Sequence, residues 1–251
     1  MLKKLSFAVA TIALSATVSV ATAADCKEVP TFAQLQSALT SAQKEANGGF
    51  GLNMWGTIVN RAGEVCSVAK TGAATGDQWP GSRVISAQKA NTANSFSLPG
   101  LSLSTANLYS AVQPGGSLFG LQESNPVDTS VAYAGTTANF GTVKDALVNK
   151  RIGGVNVFGG GLALYNTTGK LVGAIGVSGD SSCADHNIAW RTRHLLALDK
   201  IPGGVAGDKS DNIVFDIGTD GKSVGGWGHP TCGAKSAEAN TAVLNNAPIS
   251  K

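Results

Sequence analysis

The chain has 251 residues, of which 43% are hydrophobic and only 14% charged, with 32 glycines and a formal net charge of +3 at pH 7. That length suits one domain with extensions, or at most two small ones. The near-neutral balance leaves no basic patch for nucleic acid or an anionic membrane surface, so neither is expected as a partner.

Lys3 and Lys4 precede an apolar run from Leu5 to Val20 and the small residues Ala21-Thr22-Ala23. This is the pattern of a secretory signal peptide over residues 1–23, cleaved after Ala23; the run is short and rich in Ala, Ser and Thr for an uncleaved anchor. Its loss removes two lysines and brings the charge to about +1. The pattern predicts a periplasmic or secreted bacterial protein, with no membrane span after cleavage. In an oxidising compartment Cys26, Cys66, Cys183 and Cys232 favour two disulfides, with three connectivities open. The preferred set is Cys26–Cys66, tying the new N-terminus to an early strand, and Cys183–Cys232, tying a C-terminal extension to a helix start.

Along the chain, Phe32, Leu35, Ala38, Leu39 and Ala42 recur at helical spacing between Pro30-Thr31 and Asn47-Gly48-Gly49, predicting a helix over 31–46. Leu52 to Val59 and Glu64 to Ala69 are strand-like runs around Asn60-Arg61-Ala62-Gly63, a hairpin. After a polar loop, residues 82–97 read as a helix with small residues (Ala87, Ala90, Ala93, Asn94) able to lie close to a sheet. A short helix over 104–112 is followed by a long ordered loop with apolar anchors and a helical turn over 143–148. Gly161 to Tyr165 and Lys170 to Val177 form a second hairpin around Asn166-Thr167-Thr168-Gly169. A helix then runs from Ser181 or Ser182 to near Leu198, its start capped by serine and favoured by Asp185 near the positive end of the dipole. Residues 213–217 read as one more strand, and the last residues as a loosely held tail. The expected fold is α+β: one antiparallel sheet of about five strands flanked by helices, formed by residues 24–200, with a Gly-rich extension over 201–251 packed on it.

Ala87-Gln88-Lys89-Ala90-Asn91-Thr92-Ala93, Gly153-Gly154-Val155-Asn156-Val157, Val172-Gly173-Ala174-Ile175-Gly176-Val177-Ser178-Gly179 and the following Asp185 occur in an order that resembles the GlcG/HbpS family. That family of haem-binding and haem-degrading-like proteins includes the C-terminal domain of PduO. The resemblance covers roughly Phe32 to Leu198. It implies a profilin-like sheet, assembly into a homo-oligomer, and a pocket near Lys89, Gly153-Gly154 and the start of the Ser182 helix. The segment 99–151 and the cysteine-bearing extension are longer than in compact members, and the iron ligand is not shared within the family, so fold transfers better than function.

Cys183-x-x-His186 and His229-x-x-Cys232 form mirrored pairs with zinc-chelating spacing. A Cys183–Cys232 disulfide is the stronger reading in an exported chain, and it would still bring His186 and His229 together as candidate metal or haem-iron ligands. His186, Trp190 and His194 share one helix face, where Trp190 can stack on a porphyrin and either histidine can ligate iron; the ordinary alternative is core or oligomer packing. Arg193, with Arg191, suits a propionate or another carboxylate. Lys89 and Asp185 are candidate ligand-binding residues, against a snorkelling lysine and a helix-capping aspartate. Met54 is a candidate axial ligand and more naturally a core filler. There is no Cys-x-x-Cys-His, so any haem is non-covalent; nucleophile-elbow, Walker and His-Glu-x-x-His motifs are also absent. The leading expectation is an exported, oligomeric haem-binding protein without catalytic residues, with His186 the leading iron-ligand candidate. The alternatives are an enzyme acting on haem or a small organic acid in the same pocket, and a structural or assembly protein with no ligand.

Overall fold

The computed structural model describes residues 26–250, so the predicted signal peptide lies outside the described residues. Helix α1 (Phe32–Gln43) opens on a capping box. The Thr31 hydroxyl accepts from the Gln34 N–H at 3.4 Å, and Gln34 Oε1 accepts from the Thr31 N–H at 2.9 Å. Both free first-turn donors are satisfied by the sequence that starts the helix. Its buried stripe is Leu35, Ala38, Leu39 and Ala42.

Two hairpins make the sheet. Strands β1 (Trp55–Asn60) and β2 (Val65–Lys70) form the first, and β3 (Gly161–Tyr165) and β4 (Leu171–Ser178) the second. They join through β1 and β4, giving the order β2-β1-β4-β3 with every pair antiparallel. Among the described residues the sheet has four strands, not five. Residues 213–217 are extended, but their backbone groups are taken elsewhere: the Ile213 N–H by His186, the Val214 carbonyl by the His229 N–H at 2.8 Å, and Ile217 by an isolated bridge to Ser223.

Alternation along the strands gives the sheet two apolar faces. Trp55, Val59, Val65 and Ala174 meet the alanines of α2 (Ser82–Phe96) on one face. Ile58, Ile175, Val177, Leu162 and Leu164 meet α1 and α5 (Ser182–Leu195) on the other. The small-residue face of α2 lets it lie almost on the backbone of β4. A Cβ placed on Gly176 would stand 1.9 Å from the Ser86 carbonyl oxygen and 2.5 Å from the Ala90 nitrogen.

The segment 99–151 is ordered by short turns of helix: Thr105–Leu108, Ser110–Val112, α3 (Leu121–Ser124) and α4 (Thr129–Ala132). Residues 143–148 form turns rather than a helix. The Asp145 carboxylate organises them by accepting from the Gly141 and Leu147 N–H groups, and it pairs with Arg83 of α2 at 2.5 and 2.9 Å. The expectation of a loose tail is also corrected. Residues after 232 include α6 (Ser236–Asn246), which packs on α5 and buries Ser236, Asn240 and Val243.

Candidate functional site

Helix α5 is where the sheet, the inserted segment and the C-terminal extension converge. Ser181 caps it, accepting from the Ala184 N–H at 3.4 Å. One turn in, Asp185 is buried and pairs with Lys89 of α2 at 2.7 Å; Lys89 also donates to the Val177 carbonyl at 3.2 Å. The other Asp185 oxygen accepts from the Asp180 N–H at 2.9 Å. Burial pushes the Asp185 carboxyl up to about 6, with the Lys89 ammonium pulling the other way. The pair bolts α2 to α5 across the end of β4. Gly160, at φ 118°, closes over it: a Cβ there would meet Val177 O at 2.3 Å and Lys89 Nζ at 3.1 Å.

Cys26 pairs with Cys66, and Cys183 with Cys232. The second disulfide places His229 against the first turn of α5, its Nε2 3.2 Å from Ser182 Oγ and its Nδ1 2.7 Å from the Pro230 carbonyl. A carbonyl only accepts, so Nδ1 carries the proton and Nε2 is the acceptor. The ring is 1% exposed, and burial lowers its pKa to about 4. Half-buried Tyr109 packs against it at 5.0 Å between ring centroids and against Phe158 at 6.1 Å.

His186 is fully buried beneath the extension. Its Nε2 lies 3.1 Å from the Ile213 N–H and 3.2 Å from Asn212 Oδ1, while its Nδ1 has no partner. Burial lowers its pKa to about 3, so the ring is neutral. Trp190 is core: its Nε1–H donates to the Ala247 carbonyl at 2.8 Å, and its ring lies 6.1 Å from that of His186. Arg193 is also fully buried, and the carboxylate it meets is Asp211 of the extension, at 2.6 and 2.8 Å. Burial opposes the ionised form of Asp211, but Arg193, the Ser102 hydroxyl and His186 together outweigh it, lowering the pKa overall. Met54 is likewise buried in the core between α1 and the sheet. Gly153 and Gly154 take positive φ values of 64° and 80°. They face the inserted segment, Gly153 bridging to Val127 and Gly154 lying where a Cβ would meet Val127 Cγ1 at 2.6 Å.

The structure therefore brings Lys89, Asp185 and His229 to one end of α5 and puts His186, Trp190 and Arg193 in the interior beneath the extension. The third histidine differs. His194, in the last turn of α5, has a side chain 34% exposed, with Nδ1 2.7 Å from the buried Asp199 carboxylate. Asp199 is fixed in turn by the Ser250 hydroxyl at 2.6 Å. With Nδ1 so engaged, Nε2 is the nitrogen left for a ligand, the arrangement by which carboxylates orient metal-binding histidines. His194 lines a groove of about 330 Å³ with Ser41, Ala42, Glu45, Arg191, Leu195, Asn246 and Ala247. A second depression of about 490 Å³, lined by Ala38, Ser41, Leu195 and Leu196 among others, adjoins it. The Arg191 guanidinium is held by Asn47 Oδ1 at 3.1 Å. Sequence reading placed His194 on the Trp190 stripe and missed Asp199, five residues on and past the helix end, where no helical spacing links the two.

The model of the family described as haem degrading protein, HbpS-like, matches residues 31–193. Two solved structures are similar in part. A PduOC–heme complex shares 23% identity over 65% of this chain and 89% of its own, at a TM-score of 0.45. The Klebsiella pneumoniae protein ORFY shares 24% over 66% and 90%, at 0.44. No curated protein matches significantly.

Proposed function

The chain belongs to the HbpS-like haem-degrading protein family, and on that premise we propose that it binds haem non-covalently, with His194 as the iron ligand. The observation that carries the choice is exposure. Of three histidines in the chain, His186 is 0% and His229 1% exposed, while His194 presents its ring to a groove and is oriented by Asp199. The residues present fit the group. An imidazole with its far nitrogen on a carboxylate is a strong iron ligand. Ala42, Leu195 and Ala247 offer apolar contact to a flat ring, and Arg191 suits a propionate. The groove and its neighbouring depression fall within the size of ordinary ligand sites, about 300–1,000 Å³. Bound haem would supply iron redox and ligand-binding chemistry. The chain's own residues hold, orient and partly desolvate it.

Export and self-assembly belong to the same reading. Two disulfides suit an oxidising compartment. Phe50, Trp79, Phe119, Tyr133 and Val143 are among the exposed apolar side chains a homo-oligomer would draw on. The test of the ligand is a hemin titration of the chain from residue 24. A saturable, sharpened Soret band is expected, weakened at least tenfold in His194→Ala and kept in His186→Ala. An unchanged titration in His194→Ala overturns the assignment. Light scattering of the same sample reports the assembly.

A further inference from the structure

We propose that the Cys183–Cys232 disulfide conceals a metal site. When it is reduced, Cys183, Cys232 and His229 bind a zinc-class divalent cation at the N-terminus of α5. Cys183 Sγ, Cys232 Sγ and one His229 nitrogen lie within 4.8 Å of one another. In a tetrahedral zinc site two thiolates and an imidazole nitrogen sit about 3.5–3.8 Å apart, so the two sulfurs need only separate once their bond is broken. Two thiolates and an imidazole favour zinc over magnesium or calcium.

The surroundings are arranged for this as well. The His229 Nδ1–H donates to the Pro230 carbonyl at 2.7 Å, fixing the tautomer that leaves Nε2 free to coordinate. Ser182 Oγ lies 3.2 Å from that Nε2 and 3.4 Å from Cys232 Sγ, beside the fourth position, which it or a water would fill. Cys232 Sγ accepts from the Cys183 N–H at 3.1 Å, in the first turn of α5. A backbone donor and a helix N-terminus both stabilise a thiolate there. Cys183 is buried and Cys232 half-buried, so an incoming thiolate attacks Cys232, and Cys183 leaves as a thiolate in the first turn of α5.

The reductant is a dithiol. One of its thiolates attacks a disulfide sulfur, the second closes its own disulfide, and the two electrons and two protons it gives up convert the pair to two thiols. Cation binding then displaces those two protons to solvent. Disulfide and cation are mutually exclusive, so oxidation would expel the metal.

The experiment uses the chain from residue 24, oxidised or reduced with a phosphine, titrated with cobalt and then zinc. Near-ultraviolet circular dichroism follows the native fold. One equivalent of cobalt with thiolate charge-transfer absorption in the reduced, folded protein is expected, displaced by zinc, absent from the oxidised protein, and weakened at least tenfold in His229→Gln. Reduced protein that stays folded and binds no cobalt overturns the proposal. So does equal affinity in His229→Gln, or loss of the native dichroism before metal is taken up.

Discussion

Arg193 and Asp211 meet in a two-pronged ion pair with no exposed side-chain surface on either partner. It ties the last turn of α5 to the C-terminal extension. Removing one partner leaves the other charged and unpaired in the interior. Arg193→Met should therefore cost about 3–5 kcal/mol in urea unfolding, while Arg193→Met with Asp211→Leu should recover much of it. A single variant as stable as the wild type would show the pair to be dispensable.

The two interior histidines set the acid limit. Burial holds His186 near 3 and His229 near 4, against an ordinary value of 6.5. Their folded values are lowered, so below about pH 6.5 the unfolded chain takes up protons that the folded chain excludes, and stability falls with pH. Two such groups give a slope approaching 2.7 kcal/mol per pH unit, about 1.36 for each, between roughly pH 6 and 4. His186→Gln should take about 1.36 kcal/mol per pH unit off the slope. Unfolding free energies across this range make the check.

Asp185 acts in the opposite direction. Its folded value near 6 is raised by burial, so between about pH 4 and 6 the folded chain keeps a proton the unfolded chain has lost. Its contribution is full below that window and declines as pH rises through it. Infrared difference spectra should show a protonated carboxyl stretch disappearing near pH 6 and missing from Asp185→Asn. In Lys89→Met the same band should persist to higher pH, since the counter-charge is gone.

Gly176→Ala should be destabilising by about 1–3 kcal/mol or more. The obstacles to the new methyl are the Ser86 carbonyl and the Ala90 nitrogen, both backbone, so no side chain can turn aside. Thermal melting will report it as a fall of several degrees.

Much of the core was legible because its signals are local. Pro30 and Thr31 announce α1, the serines at 181 and 182 announce α5, and two apolar β-forming runs around Asn166 and Gly169 announce the second hairpin. The spacing of alanines in α2 gave its close approach to the sheet. Helix α6 was missed although its buried positions Ser236, Asn240 and Val243 keep helical spacing, because two of the three are polar and an apolar count passes over them. Residues 213–217 are an apolar, β-forming run like a strand, but tertiary partners claimed their backbone groups. At the site, Asp211 for Arg193 and Asp199 for His194 are matches between polar residues separated by turns, and nothing in local spacing signals them.

The partners of α5 set what can be exchanged between relatives. The Ile213 N–H meets His186, Asn240 donates to Asn187 at 2.8 Å, and the Ala247 carbonyl receives the Trp190 N–H. Helix and extension are complementary halves of one polar interface, and neither half is satisfied alone. A chimera that keeps this helix but replaces residues 201–250 would bury several groups without partners, and one that moves the extension onto another helix would do the same from the other side. The two segments are expected to be portable only together.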